Sequence, residues 1–419
     1  MMRILLTGGR APATLDLARI LFRQTPYIFL AESLALSLTS FSRCIKKSYR
    51  VAAPRQHPDL FAQDILKIIH THDIDVVIPT CEEIFTVVAY EHLIRPHAHI
   101  FAPDHDTLLR LHSKWEFVQW MQKSSLSVPT TQRITQHQTL AHHISQAGAT
   151  HVYKPEWSRF GSKVQISPST STWITDFPCD ESYAWLAQER IIGQGWCSYS
   201  WFDQGKLLAH SNYPMDFSKS TQASLVFAHH THAKIEKWVR DFGIKTDYTG
   251  QVAFDFIETD DRLYAIECNP RLTSGIHTLF GQDLYALLTA VYDTSPQNDH
   301  IETQVTHDSQ SDLTQSDLAQ LDLATSQIDH HALCVYGRNQ PQSLKAVLWL
   351  YAFTEILDQG FKRWIWHIWY AQDVLLRWHD PLPGLTWPIG YMQFIWYAWR
   401  EKISLVEAST FDIEWNSES

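Results

Sequence analysis

Residues 251–271 read QVAFDFIETDDRLYAIECNPR, and this stretch decides the fold. An apolar run with a single acid, Asp255, ends at a polar turn holding Asp260 and Asp261, and a second run carrying Glu267 returns from it. In a hairpin of this spacing Asp255 and Glu267 lie side by side on one face. Asn269, two residues further on, shares that face because strand side chains alternate. Two carboxylates and an amide oxygen are hard oxygen donors, suited to Mg²⁺ bridging nucleotide phosphates. Arg271, two residues on again, adds a guanidinium fork on the same side, suited to a phosphoryl group. Any one of these residues alone reads as the exposed polar face of a hairpin; the set in register does not.

Working outward, residues 151–164 read HVYKPEWSRFGSKV. An apolar strand delivers Lys154, Pro155 stops it, and a loop containing Gly161 and Ser162 follows. A lysine at a strand end neutralises phosphate charge, and a Gly-Ser loop is able to close over it. Residues 113–121, SKWEFVQWM, open with a good helix N-cap, Ser113, and continue with helical apolar spacing, so Lys114 sits in a first helical turn.

With these pieces together, the sequence resembles the ATP-grasp superfamily over roughly residues 1–296, its carboxylate–amine ligase and carbamoyl-phosphate-synthetase-like ATP-binding domains in particular. The resemblance implies Mg²⁺ on Asp255, Glu267 and Asn269 (Mn²⁺ being an alternative ion), with Arg271 on phosphate or on an acyl-phosphate. It implies that Lys114, Lys154 and Ser162 hold the triphosphate of ATP, with Lys219 a candidate for the γ-phosphate. Residues 187–193, AQERIIG, are similar to the family's strand between the two lobes of the clamp, which assigns Gln188, Glu189, Arg190 and Ile191 to the adenine. The family often carries an acid for the ribose seven residues after Glu189, and this chain has Trp196 there. Residues 273–275, Thr-Ser-Gly, resemble the family's small-residue turn, whose backbone N–H groups hold a developing anion.

Before the clamp, residues 3–9 (RILLTGG) are a short apolar strand with a glycine turn, and Leu15 to Arg23 have helical spacing. A helix over 61–70 and a strand over 75–79 repeat the unit, as a parallel α/β sheet requires. No third glycine follows Gly8 and Gly9 at the dinucleotide-fingerprint offset, so the turn reads as strand-to-helix punctuation. Thr80, Cys81, Glu82 and Glu83 follow the second strand, where parallel sheets place ligands; an ordinary helix N-terminus with acids in its first turn is the equal alternative.

The expected architecture is α/β: a Rossmann-like domain over 1–112, a two-lobed clamp over 113–296, an acidic low-complexity linker over 297–330, and a Trp-rich helical subdomain over 331–419. The linker holds Asp299, Glu302, Asp308, Asp312, Asp317, Asp322 and Asp329 with no Lys or Arg. The tail's tryptophans, including Trp366, Trp369, Trp378, Trp396, Trp399 and Trp415, are read as packing against the rest, or else as lining an acyl pocket or a membrane-surface patch.

The 419 residues carry 34 Lys and Arg against 45 Asp and Glu, a net charge of −11, which argues against a general nucleic-acid surface. The 6 cysteines form no CxxC pair and read as reduced thiols of a cytoplasmic protein. No run approaches the ~18 apolar residues of a membrane span. No HExxH metal pair occurs among the histidines, and the cluster at 229–232 reads as a surface helix start. The function implied is activation of a small-molecule carboxylate by Mg-ATP for attack by an amine or similar nucleophile; homodimers are common among the relatives it resembles, so a homodimer is one state open to this chain. A bicarbonate-activating reaction on the same clamp and a non-catalytic ATP sensor are the alternatives.

Overall fold

The computed structural model describes residues 1–147, 150–157, 164–166, 178–215, 225–293, 334–345 and 361–415. The chain opens with a parallel layer formed by β1 (Ile4–Thr7), β2 (Ile28–Glu32), β3 (Lys47–Arg50), β4 (Val76–Pro79) and β5 (His99–Ile100), ordered β3-β2-β1-β4-β5. β1, β2 and β4 are buried along their whole length, as strands covered on both faces must be. Helix α1 (Pro12–Leu21) covers one face through Leu17, Ala18 and Leu21. Helices α2 (Pro58–His72) and α3 (Glu83–Ala89) cover the other through Phe61, Ile65, Phe85 and Val88. Helices α4 (Glu91–Ile94), α5 (His105–His112) and α6 (Lys114–Lys123) lead out of this layer.

Two antiparallel sheets follow. The smaller joins β6 (Thr131–Ile134), β7 (His151–Pro155), β8 (Gln165–Ile166) and β9 (Trp185–Glu189) in the order β6-β9-β7-β8. Helix α7 (His137–Ala147) packs on it, Leu140 and Ile144 against Tyr153 and Trp185. The larger sheet contains β10 (Gln194–Asp203) and β11 (Lys206–Pro214), with β13 (Gly250–Glu258) beside β10 and β14 (Leu263–Asn269) beside β13. Between them in the chain come the short β12 (Val226–Phe227) and helix α8 (Ala233–Thr246), whose Trp238 and Phe242 cover one face of the larger sheet. Its other face, through Tyr199, Trp201 and Ala253, shares a core with the α1 side of the parallel layer and with α9 (Leu284–Asp293). The first layer and the larger lobe are therefore one packed body.

Beyond residue 333, β15 (Val335–Tyr336) adds a parallel edge to β11, so this part of the expected helical tail belongs to the clamp's larger sheet. β16 (Gln342–Ser343) pairs with β12 and β17 (Gln372–Asp373) with β16, and α10 (Phe361–Tyr370), α11 (Leu382–Glu401) and α12 (Leu405–Ala408) follow. The tail docks by buried charge more than by its aromatics. Asp16 of α1 takes His277 Nδ1 at 2.8 Å and lies 3.5 Å from Arg377, while Arg19 reaches Asp380 at 2.8 Å. Trp387 packs near Leu38 and Trp415 stacks on Phe85, but Trp369, Trp378 and Trp399 are exposed, contrary to the packing expectation. The acidic segment expected as a linker over 297–330 lies outside the described residues. No described helix is long and apolar enough to cross a membrane.

Candidate functional site

The hairpin of β13 and β14 has the register its spacing predicts. Asp255 pairs with Glu267 and Ala253 with Asn269, with a bulge between Asp255 and Phe256. Asp255 is enclosed, and burial together with the Glu267 charge pushes its carboxyl up. Lys154, Arg271 and the Cys197 thiol, a hydrogen-bond partner from β10, pull it back. Cys197 pairs with Asp255 across β10 and β13, which is how strand alternation brings its thiol to this face. Sequence reasoning missed it, since a lone cysteine carries no signal before the sheet order is known.

Two lysines converge on this pair from different elements. Ser113 caps α6, accepting from the Glu116 N–H and donating to Glu156 at 2.5 Å, and this sets Lys114 in the first turn. Its Nζ comes within 3.8 Å of Glu267 Oε1. Lys154 is carried by β7 of the smaller sheet and donates to Gln188 Oε1 at 3.0 Å and to the Ile266 carbonyl at 3.2 Å. Burial brings the Lys154 ammonium down to about 8, opposed by Glu267 and reinforced by Lys114. Lys154 thus bridges the two sheets, bonded to Gln188 of the smaller and to Ile266 of the larger.

Gln188 and Glu189 end β9, and residues 190–193 cross to β10, so the segment assigned to adenine is the link between the lobes. The Glu189 N–H donates to Thr130 O and the Arg190 N–H to Thr150 O. Those two donors are therefore already used within the smaller sheet. Gln188 is buried with its amide turned to Lys154, whereas Ile192 stands exposed. A Cβ on Gly193 would fall 2.0 Å from the Glu258 carbonyl, so only glycine passes that crossing. Ser162 and Lys219, the remaining expected phosphate contacts, lie outside the described residues.

On the far side, Arg271 donates to Asn269 Oδ1 and to the Leu272 carbonyl, each at 3.3 Å, and its Nε lies 3.7 Å from Glu82 Oε1. Glu82 is fully buried at the carboxyl end of β4. Glu83, the first residue of α3, accepts from the Thr80 and Cys81 N–H groups of the preceding turn and from Thr7 Oγ1. Neighbouring acids thus do different things: Glu83 fastens the turn before α3 to β1, and Glu82 faces the hairpin. In the histidine cluster, His232 caps α8 as a helix start would, but His229 is buried against Ser211 rather than on the surface.

The donor set fits a divalent cation. Asp255 and Glu267 are like charges held in register, and the repulsion that raises Asp255 is what a bound cation relieves. Among the described residues no group of three or more His, Cys, Asp or Glu side chains converges as a metal site. An ion here would take two carboxylates and an amide, leaving positions for phosphate oxygens and water, as Mg²⁺ prefers.

No family model matches the chain, and no curated protein matches it in sequence. Solved structures do match. N5-carboxyaminoimidazole synthetase from Staphylococcus aureus is similar with a TM-score of 0.54 at 12% identity, over 70% of this chain and 78% of that one. A biotin carboxylase in complex with β,γ-ATP, from Campylobacter jejuni, gives 0.56 at 14% identity, over 70% and 72%. Phosphoribosylamine–glycine ligase from Thermotoga maritima gives 0.55 at 14% identity, over 71% and 76%. The fold that this chain shares with them is the ATP-grasp fold.

Proposed function

We propose that this chain is an ATP-dependent ligase. In this reading Mg-ATP binds in the cleft between the two antiparallel sheets, and its γ-phosphoryl group is transferred to a substrate carboxylate. A carboxylate oxygen forms a bond to the γ-phosphorus as the bridging β–γ bond breaks, giving ADP and an acyl-phosphate. An amine then forms the carbon–nitrogen bond at the acyl carbon as phosphate leaves.

The observation that carries this reading is the opposition of Asp255 and Glu267 within reach of Lys114 and Lys154. Asp255, Glu267 and Asn269 would hold Mg²⁺, which when bound neutralises charge on the phosphate oxygens. Lys154 and Lys114 bind and orient the phosphate chain from below. The backbone of residues 189–192, with Ile191, is the adenine-side edge. Arg271 holds the transferred phosphoryl oxygens while charge develops on them. Glu32, Glu82, Glu83 and Asp412 outweigh Arg10 and Arg271 in the adjoining crevice, which supports an amine over an anionic nucleophile. All six cysteines are free, which fits a reducing, cytoplasmic setting.

The test is nucleotide release from Mg-ATP with pooled carboxylates and pooled amines. ADP appearing only when both pools are present supports the ligase. Release of AMP, or release of ADP that depends on bicarbonate alone, overturns it.

A further inference from the structure

The crevice beside Arg271 is bordered by residues 409–415. In the parallel sheet the order β3-β2-β1-β4-β5 reverses direction between β1 and β4, and such a reversal opens a crevice at the strands' carboxyl ends. The Gly8 turn, Cys81 and Glu82 form its floor. Across it runs the segment 409–415. The Asp412 carboxylate takes both terminal nitrogens of Arg10, at 2.6 and 2.9 Å, and accepts from Ser33 at 2.5 Å. Arg10 also donates to the Ser409 carbonyl, and the Arg55 N–H donates to the Asp412 carbonyl. These bonds are buried and charge-assisted, so the segment is seated on the crevice rather than trailing from it.

Trp415 ends this seated segment at a junction of three parts of the molecule. Its ring stacks on Phe85 of α3 at 4.9 Å and 14°. Its edge meets Trp157, directly beyond the Lys154-bearing strand of the smaller sheet, at 5.3 Å, and His112 at the end of α5 at 5.8 Å. Its backbone N–H donates to Glu82 Oε2, whose other oxygen faces Arg271. One residue thus links the crevice floor, the phosphate-side guanidinium and the start of the loop after Lys154.

We propose that residues 409–415 form the acceptor-side wall of the active site, and that Trp415 is a positioning residue that holds Glu82 and Trp157 in place and keeps water from the phosphoryl group. The proposal rests on the ATP reading above. An acyl-phosphate is destroyed by water, so a site that makes one needs this side closed during transfer. Neither the tail's polar contacts nor Trp415 carries a local sequence signal; their partners lie at the other end of the chain.

The test compares wild type, Trp415→Ala and Trp415→Phe in the full-length protein with two readouts. The first is alkylation of Cys81 by N-ethylmaleimide at one fixed pH, followed by peptide mass spectrometry, with Cys44 and Cys268 as buried controls. Cys81 donates to the Gly8 carbonyl on the crevice floor, and burial with the Glu83 charge pushes its thiol up to about 12, so it reacts slowly when covered. In Trp415→Ala its labelling should rise by about tenfold, with the controls unchanged and Trp415→Phe close to wild type. The second readout is ADP release from Mg-ATP with no acceptor added. It should rise severalfold in Trp415→Ala while ATP affinity stays within about twofold, a split that mere loss of stability does not produce. Cys81 labelling at the wild-type rate in Trp415→Ala overturns the proposal. If wild type fails to bind Mg-ATP, the functional reading falls, and the labelling alone still decides whether the wall exists.

Discussion

Asp255 and Glu267 stand opposite one another in the β13–β14 register, and burial with the Glu267 charge raises the Asp255 carboxyl. Two acids so placed work against the free protein's stability, because at neutral pH the folded state holds a charge that water would solvate better. Asp255→Asn keeps the shape and an acceptor for the Cys197 thiol but removes the repulsion. It should raise the stability of the nucleotide-free protein by about 1 kcal/mol while abolishing Mg-dependent ATP binding. Paired urea melts and nucleotide titrations check this; a destabilised Asn variant would mean that Asp255 serves the fold.

Lys154 gives a pH signature. Its folded-state ammonium is lowered to about 8 by burial, against an ordinary value of 10.5, with Glu267 and Asp255 raising it and Lys114 lowering it further. The unfolded chain therefore binds more protons between those values, and this group's contribution makes stability rise with pH across that window. Below it both states are protonated and the cost is fully present. Lys154→Met should be more stable than wild type at pH 7 by about 1–3 kcal/mol, with the gain shrinking toward zero as pH rises past the window. Phosphate binding needs the charged form, so wild type should also take up a proton on binding ATP slightly above pH 8, read from titration calorimetry in buffers of different ionisation enthalpy.

Asp16 tests how the tail is attached. Fully buried, it meets His277, Arg19 and Arg377 at once, and burial, which alone would raise it, is outweighed so that its carboxyl lies below the ordinary value. Asp16→Ala removes the acceptor of His277 and a carboxylate beside the buried Arg377 and Arg19, and should cost about 3–5 kcal/mol in chemical denaturation. A loss below about 1 kcal/mol would show that the network is incidental.

At Gly8 a replacement should fail for two separable reasons. Its φ is +75°, and an added Cβ would lie 2.8 Å from both carboxylate oxygens of Glu83. Gly8→Ala should cost about 2 kcal/mol or more. In a double-mutant cycle Glu83→Ala should relieve the steric part and leave about 1 kcal/mol for the backbone.

Much of the site was legible because it is local. Strand alternation alone sets Asp255, Glu267 and Asn269 on one face, and an N-cap alone sets Lys114 in a first turn. The parallel layer was legible from apolar strands alternating with helical spacing. What the sequence withheld is long-range. Gln188 contacts Lys154 through its side chain only because β9 pairs with β7. Asp412 meets Arg10 across 402 residues of sequence, and no local pattern announces it. The tail's tryptophans misled for the opposite reason: helical spacing shows which residues share a face and says nothing of whether that face is covered. Trp369 on α10 is exposed, while Trp415, outside any helix, is packed.

The central claim is that the hairpin's facing acids and the lysines opposite them form a Mg-ATP site. Its most direct test is calorimetric titration of ATP, with and without Mg²⁺, into wild type and Glu267→Ala. Glu267 is half-exposed, so the substitution should leave the fold intact. Wild type should show Mg-dependent binding that weakens by at least about tenfold in the variant, with the nucleotide-free variant still folded by circular dichroism. Equal ATP affinity in the two proteins, or wild-type binding indifferent to Mg²⁺, would contradict it.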